Sequence, residues 1–123
     1  MLINNFFKIK EQKFEDEKAI FIIQLIENHS IYIGHFPGNP IVPGVCSIEI
    51  IKECAAYYLK THLKYTSIEQ CKFLNPIDPL KTETLIVSIN ILPINENEYS
   101  LSGTIMDQNI PFVIIKCKTI KSL

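Results

Sequence analysis

Hydrophobic and polar residues alternate along the second half of the chain. One set of apolar residues takes every second position from Leu85 to Ile91, and another does so from Tyr99 to Ile105. This period of two residues is that of a β-strand. The polar triplets "NEN" (Asn95–Asn97) and "DQN" (Asp107–Asn109) indicate hairpin turns. Strands are therefore predicted at Thr82–Leu92, Glu98–Met106 and Pro111–Ile120.

Three further segments have strand character. The segment Ala19–His29 begins with a run of β-branched and aromatic residues, with charged residues before it and Glu27-Asn28 near its end. A short apolar run that is bounded by polar residues predicts a buried strand. A weaker pattern predicts a strand at Phe6–Gln12, and a further strand is predicted at Ser67–Ile77.

The segment from Val45 to about His62 has helical character. It contains no proline or glycine and is longer than a typical strand. A surface helix would carry a clear polar half, whereas this one is apolar on most sides, so other elements should cover it. An antiparallel sheet of five to six strands wrapped around one long central helix meets this need. The predicted fold class is therefore α+β.

Composition narrows the class of protein. With 123 residues and no repeat or linker, the chain is assigned one domain, residues 1–123. Hydrophobic residues make up 47% and charged residues 20%, which is ordinary for a soluble globular protein. The formal charge of −1 gives no electrostatic reason to expect nucleic acid or an acidic membrane as a partner. No apolar segment approaches the ~20 residues that span a bilayer, and the N-terminus lacks the pattern of a signal peptide.

The four cysteines have neither a C-x-x-C pair nor zinc-like spacing with histidine. They are interpreted as reduced thiols in a cytoplasmic protein, and Cys46 as buried filler. Tyr57, Tyr58 and Phe73 are interpreted as core side chains. His62 is expected near the C-terminus of the helix, where the helix dipole favours it.

The stretch from Gly34 to Gly44 is rich in turn-forming residues. Pro37, Pro40 and Pro43 recur at every third position, which is the repeat of a polyproline helix. One interpretation is a ligand for a proline-reading domain. The other is a stiff connector between a buried strand and a buried helix, which the ordered character of both flanks favours.

The predicted helix starts without a capping side chain. No Ser, Thr, Asp or Asn stands immediately before Val45, so the first backbone N–H groups lack an evident partner. Gly44 has no Cβ, and a ligand could approach its N–H closely. The helix start is therefore a candidate site for an oxyanion or a polarised carbonyl. Capping by water or by Asn39 is the alternative.

Glu49 follows Gly44 by five residues, about 7.5 Å along the helix axis. Its apolar neighbours predict a raised pKa; Glu53 should raise that pKa further, and Lys52 should lower it. A carboxyl group that is partly protonated near neutral pH is a candidate general acid. The alternative is a carboxylate that reaches solvent or pairs with Lys52. With His35 as a base, these groups would suit removal of a proton beside a thioester carbonyl with loss of a hydroxyl.

The segment "HFPGNPIVPGVCSIEI" (His35–Ile50) resembles the signature of the bacterial 3-hydroxyacyl-(acyl carrier protein) dehydratases, which have the hotdog fold. The family pattern is H-F-P-G-x-P-x-x-P-G-V, with an acidic residue fourteen positions after the histidine. Glu49 holds that acidic position here. The resemblance implies conversion of a (3R)-hydroxyacyl thioester to the trans-2-enoyl thioester in fatty-acid or related specialised lipid or polyene biosynthesis.

The resemblance also implies roles for individual residues. His35 would take the proton next to the thioester, Glu49 would protonate the departing hydroxyl, and the N–H of Gly44 would hold the carbonyl. Phe36 and Val45 would contact the substrate. The implied reaction needs no metal or cofactor, the implied partner is an acyl carrier protein, and the implied assembly is a homodimer or a trimer of such dimers.

Two departures from the family pattern leave alternatives open. Glu53 stands where the family often has glutamine, and Leu80 in "KFLNPIDPL" stands where glycine is usual. The chain also has no arginine, which leaves only lysines to meet an acidic carrier protein. The alternatives on the same fold are a non-catalytic acyl-binding subunit and a thioesterase.

Overall fold

The computed structural model describes residues 1–26, 29 and 40–122, and within these ranges it contains six strands and one helix. The elements are β1 (Phe7–Glu15), β2 (Lys18–Leu25), α1 (Gly44–Leu59), β3 (His62–Phe73), β4 (Thr84–Pro93), β5 (Glu98–Asp107) and β6 (Ile110–Ser122). The strands form one antiparallel sheet in the order β1-β2-β4-β5-β6-β3. The predicted α+β class, with one helix and an antiparallel sheet, is confirmed.

The alternating pattern of the sequence matches one buried face of the sheet. Every second residue of β4, from Leu85 to Ile91, is buried, and β2 has the same pattern from Ala19 to Leu25. Residues of the two strands meet in register, as Phe21 and Val87 do. A one-residue slip would turn all these side chains outward, so burial specifies the register.

Helix α1 packs on this buried face and contacts β2, β3, β4 and β5. Gly103 of β5 lies beneath it, where an added Cβ would come within 3.0 Å of the Ile51 Cγ2. A glycine at this position therefore allows the helix to lie close to the sheet. On the other side of the helix, the side chains of Val45 and Tyr57 are 74% and 48% exposed. Within the described residues, the sheet thus covers one side of the helix rather than most of it.

The prediction that the helix extends to about His62 was wrong. The helix ends at Leu59, and Lys60 takes a left-handed conformation with φ 55° and ψ 42°. The Thr61 N–H donates to the Ala56 carbonyl (3.2 Å), which closes the last turn. The chain then enters β3 directly, so His62 is the first residue of a strand and not a helix end.

Several strands also begin or end at other residues than the sequence predicted. β3 begins at His62 and ends at Phe73, whereas Ser67–Ile77 was predicted, because its pairing with β6 starts at the His62–Ser122 pair. β1 continues beyond Gln12 to Glu15, where Asp16 turns the chain with φ 57°. The predicted second strand reached His29, but β2 ends at Leu25.

The proline-rich stretch is described only from Pro40 onward. Residues 40–43 belong to neither helix nor strand, and the buried Val42 donates its N–H to the Ile77 carbonyl at 2.9 Å. This bond attaches the end of the connector to the segment that follows β3. Among the described residues, no helix is long and apolar enough to cross a membrane.

Candidate active site

Glu49 lies on the side of α1 that the sheet leaves open. Its side chain is 35% exposed, and its Oε1 is 3.1 Å from the Nζ of Lys52, one turn further along the helix. The ion pair with Lys52, which the sequence left as an alternative to a buried acid, is therefore present. Glu49 is half-buried rather than enclosed.

The surroundings of Glu49 change its acidity. Burial raises the pKa of Glu49, the nearby Glu53 carboxyl raises it further, and Lys52 lowers it, with a net increase above the ordinary value. The predicted directions of all three effects are confirmed. The result is a carboxyl group with a larger protonated fraction near neutral pH than a free glutamate has.

Glu53 has a structural role that the sequence did not reveal. Its side chain is only 5% exposed, and its two oxygens accept the backbone N–H groups of Leu2 (2.9 Å) and Ile3 (2.8 Å). A glutamine has one oxygen acceptor, and its amide NH₂ would face a second N–H donor. The glutamate at this position therefore fits the two donors, and no local sequence signal could have indicated partners about fifty residues away.

Tyr65 of β3 supports the segment of the helix that carries Glu49. Its hydroxyl donates to the Ile48 carbonyl at 2.6 Å, and burial raises its pKa, so the hydroxyl keeps its proton. This bond ties the helix backbone next to Glu49 to the edge of the sheet. The Nζ of Lys52 lies 5.9 Å from the centroid of the same tyrosine ring.

Within the described residues, the start of the helix has no capping side chain. Pro43 occupies the N-cap position and makes no side-chain cap. Its carbonyl accepts the N–H groups of Cys46 (2.9 Å) and Ser47 (3.2 Å). The N–H groups of Gly44 and Val45 make no hydrogen bond within the described residues, and Asn39 lies outside them. These two N–H groups are therefore available to a ligand.

The ring of Phe73 lies against Gly44. A Cβ added to the glycine would lie 3.0 Å from the Phe73 Cζ, so this close approach depends on the absence of a side chain. A cavity of about 400 Å³ beside the helix start is lined by both residues and by Ser47. Phe73 is 55% exposed and, with Tyr57 and Tyr58, was wrongly interpreted as core. Cys46, in contrast, is buried as predicted, and burial raises its pKa.

A second cavity of about 200 Å³ lies at Glu49 and is also lined by Lys52, Glu53, Ala56 and His62. Because Gly44 and Glu49 lie on one helix, they are about 7.5 Å apart along its axis. His35 and Phe36 lie outside the described residues. Among the residues that the structure does describe, no cluster of three His, Cys, Asp or Glu side chains could hold a metal ion.

The strand order and the helix on one sheet face define a hotdog fold, and solved structures share it. The dehydratase heterocomplex ApeI:P from Xenorhabdus doucetiae matches with a TM-score of 0.75 and 24% identity, over 92% of this chain and 96% of that one. A putative thioesterase, yhdA from Lactococcus lactis, matches with a TM-score of 0.67 and 12% identity, over 95% and 92%. At these identities the matches establish the fold alone, and the predicted hotdog fold is confirmed.

The sequence identifies the family. The model of the ApeI-like family, described as ApeI dehydratase, matches residues 10–108, and the chain belongs to this family. The 3-hydroxyacyl-[acyl-carrier-protein] dehydratase FabZ of Ehrlichia chaffeensis is 34% identical over 87 residues, which cover 67% of this chain and 59% of that protein. The FabZ of a Thermoanaerobacter species is 32% identical over 101 residues, covering 74% and 68%. The chain thus spans somewhat more than half the length of the first of these relatives, and the predicted resemblance is confirmed.

Proposed function

We propose that this protein is a dehydratase that converts a (3R)-hydroxyacyl thioester to the trans-2-enoyl thioester, in fatty-acid or related specialised lipid biosynthesis. The observation that carries the proposal is the placement of two groups on one helix. A helix start with open N–H groups at Gly44 precedes, by about 7.5 Å along the axis, a carboxyl group with a raised pKa at Glu49. Family membership and the FabZ relatives support the same reaction.

Each group has one chemical task in the proposed reaction. The open N–H groups at Gly44 and Val45 donate hydrogen bonds to the thioester oxygen and stabilise the negative charge that develops on it. His35 removes a proton from the carbon next to the carbonyl, and the electrons of that C–H bond form the new C=C bond. Glu49 gives its proton to the β-hydroxyl as the C–O bond breaks, and water leaves. Phe36 and Val45 contact the substrate.

The raised pKa of Glu49 is what makes it a suitable acid. A glutamate of ordinary pKa is almost fully ionised near neutral pH and has no proton to give. Burial and Glu53 favour the protonated form, whereas Lys52 favours the carboxylate. After water leaves, the ion pair with Lys52 stabilises the ionised product state of Glu49 until the proton returns.

The active unit is proposed to be a homodimer in which His35 of one protomer faces Glu49 of its partner. The edge strand β3 supports this assembly. It pairs with β6 on one side, and no other described strand pairs with its free edge. Its side chains Ile68 and Phe73 are exposed. Pairing of two β3 edges would cover this free edge, and a trimer of such dimers would be a larger form of the same assembly.

The partner and location follow from the same proposal. The substrate is carried by an acyl carrier protein, which is acidic and would meet exposed lysines such as Lys64, Lys72 and Lys116. A cytoplasmic location agrees with the free cysteines of the described residues, three of which are buried. The Xenorhabdus neighbour is described as a heterocomplex. The mass of the assembled protein must therefore be measured, to distinguish a homodimer from a dimer with a different subunit.

A non-catalytic acyl-binding subunit is the second candidate, and the Glu49–Lys52 ion pair favours it. An ionised Glu49 cannot protonate a leaving hydroxyl, and the 3.1 Å contact stabilises that ionised form. Such a subunit would bind acyl thioesters and release no water. A thioesterase would instead release a free thiol.

The deciding experiment measures dehydration of carrier-bound 3-hydroxyacyl substrates of graded length, with free-thiol release followed in parallel. His35→Ala and Glu49→Gln should each lower the rate by about 10²–10⁴-fold, because each removes one proton-transfer group. Both variants should keep the native mass and circular dichroism spectrum. Glu15→Gln is the matched control, because it breaks an exposed ion pair with Lys13 and removes no group that is assigned to the reaction. Undiminished dehydration in either catalytic variant would contradict the proposal.

A further inference from the structure

One tyrosine from the sheet is bonded to the backbone of α1 beside Glu49, and the proposed reaction gives it no task. The hydroxyl of Tyr65 donates to the Ile48 carbonyl at 2.6 Å, which is short for a bond between two oxygens. In an α-helix this carbonyl also accepts the N–H four residues later, here that of Lys52. A carbonyl oxygen has two lone pairs, so the hydroxyl adds a bond without displacing the helical one.

The hydroxyl reaches both ends of the turn that contains Glu49. The backbone N–H of Lys52 also acts on the Tyr65 oxygen, so this oxygen meets the N–H of Lys52 as well as the carbonyl of Ile48. These two backbone groups are four residues apart and close one turn of the helix. The position of that turn is therefore fixed by β3 as well as by the hydrogen bonds of the helix itself.

An irregularity in β3 lies next to the tyrosine. The register with β6 shifts between Tyr65 and Ser67, which leaves Thr66 without a partner. A bulge of this kind bends the strand and changes the direction of neighbouring side chains. Lys64 and Thr66 are exposed on either side, whereas Tyr65 is half-buried and its hydroxyl reaches α1. The shape of the strand at this point therefore suits the contact between Tyr65 and the helix.

The ring of Tyr65 contacts the ammonium group that pairs with Glu49. The Nζ of Lys52 is 5.9 Å from the ring centroid and 3.1 Å from the Oε1 of Glu49. A cation at such a distance from an aromatic ring is attracted to it, so Lys52 has two partners. The other titratable groups near Glu49 are on Met1, Cys46, Glu53 and His62. Within the described residues, Tyr65 is the side chain that bonds both to this turn and to Lys52.

We propose that Tyr65 is a positioning residue of the dehydration: its hydroxyl fixes the helical turn that carries Glu49, and its ring holds the Lys52 ammonium beside that acid. The inference rests on the proposed function and deepens it. In this role Tyr65 does not touch the substrate and acts only through Glu49 and Lys52. Proton transfer needs the carboxyl group within hydrogen-bond reach of the leaving hydroxyl, so a displaced turn lowers the rate of that step.

The kinetic test uses two variants of this residue: Tyr65→Phe keeps the ring and removes the hydroxyl, whereas Tyr65→Leu removes both. In Tyr65→Phe, kcat for dehydration should fall about 10–100-fold, because a shift of about 1 Å in a reacting group can have an effect of this size. KM should stay near its original value, since the lost interaction acts on the transition state. Tyr99→Phe is the matched control, because the ring of Tyr99 also lies 5.9 Å from a lysine Nζ, that of Lys121, and has no assigned role. An undiminished kcat in Tyr65→Phe, an equal loss in Tyr99→Phe, or a loss confined to KM would overturn the inference.

Two measurements that need no turnover separate this inference from the proposed function. Hydrogen exchange at the Lys52 amide should be faster in Tyr65→Phe. In Tyr65→Leu, NMR titration of the Glu49 carboxyl group should show a midpoint at higher pH, because a less firmly held Lys52 opposes its protonation less. If both changes occur in a protein that dehydrates nothing, the positioning contacts stand and only the proposed function fails. If the Lys52 amide exchanges as before, if the midpoint of Glu49 does not rise, or if exchange becomes faster uniformly along the chain, the inference fails.

Discussion

The two sides of α1 carry different kinds of residues in different surroundings. On the side that faces the sheet, Ile50, Ile51 and Cys54 are fully buried. On the open side, Glu49 and Lys52 form a half-buried ion pair. Packing thus fixes one side of the helix, while the other side keeps titratable groups within reach of a ligand.

Two glutamates on the same helix show how the surroundings change the role of a side chain. Glu53, one turn after Glu49, is nearly inaccessible and binds the backbone of Leu2 and Ile3. Glu49 stays partly exposed and has a raised pKa. These two glutamates, four residues apart, have different neighbours. We therefore expect Glu53 to have a structural role and Glu49 to take part in the reaction.

Truncation on the sheet side should have the largest effect on stability. Ile51→Ala should lower the free energy of unfolding by about 2–5 kcal/mol, because it leaves a cavity above Gly103 that the sheet cannot fill. Val45→Ala, on the exposed side of the same helix, should change it by less than about 0.5 kcal/mol. Urea unfolding measures both, and equal losses in the two variants would contradict the distinction between the sides.

Replacing the structural acid should have an intermediate effect. Glu53→Gln should cost about 1–3 kcal/mol, because one backbone N–H would lose its acceptor and face an amide NH₂. Faster hydrogen exchange at Leu2 and Ile3 would locate the loss at the N-terminal segment. Glu49→Gln is the matched control and should leave exchange at these two amides unchanged. Identical exchange profiles for both variants would show that Glu53 does not hold this segment.

The smallest effect should come from the ion pair on the open side. Lys52 lowers the pKa of Glu49, so Lys52→Met should raise that pKa further. The dehydration rate needs protonated Glu49, so its high-pH limb should move to higher pH. Glu53→Gln should move the same limb to lower pH, because Glu53 raises the pKa of Glu49.

The measurement is the pH profile of kcat, with Lys13→Met as a control for loss of an exposed ion pair. Movement of the limb in the same direction in both site variants would contradict the assigned roles.

The raised pKa of Glu49 also makes the free energy of unfolding depend on pH. Because the folded pKa of Glu49 is raised, its contribution to stability is present at low pH and is lost as the pH rises through that pKa.

Local patterns predicted much of the fold. The alternation in β4 and β5 and the uninterrupted apolar segment of α1 each depend on neighbours within one element, and these elements were found as predicted, apart from the earlier end of the helix. The early start of β3 was missed because pairing with β6, more than forty residues away along the chain, overrides the weak local pattern near His62.

Some features of the candidate site could likewise be predicted from one segment, whereas others depend on distant segments. The spacing of Gly44 and Glu49 and the absence of a capping side chain before the helix are properties of a single segment, and the sequence was enough to predict them. The ring of Phe73 against Gly44 and the contact between the Phe14 and Tyr58 rings depend on elements that meet only in the folded chain.

The sequence by itself determined the antiparallel α+β architecture, the absence of a capping side chain immediately before the helix and the direction in which the pKa of Glu49 moves. Periodicity, capping and nearby charge act over a few residues, so these properties are present in the order of the amino acids. The tertiary structure alone decided which side of α1 is covered, what Glu53 binds, and that the ring of Phe73 lies against Gly44. Burial and long-range hydrogen bonds depend on which distant segments come together, and that is settled only when the sheet packs on the helix.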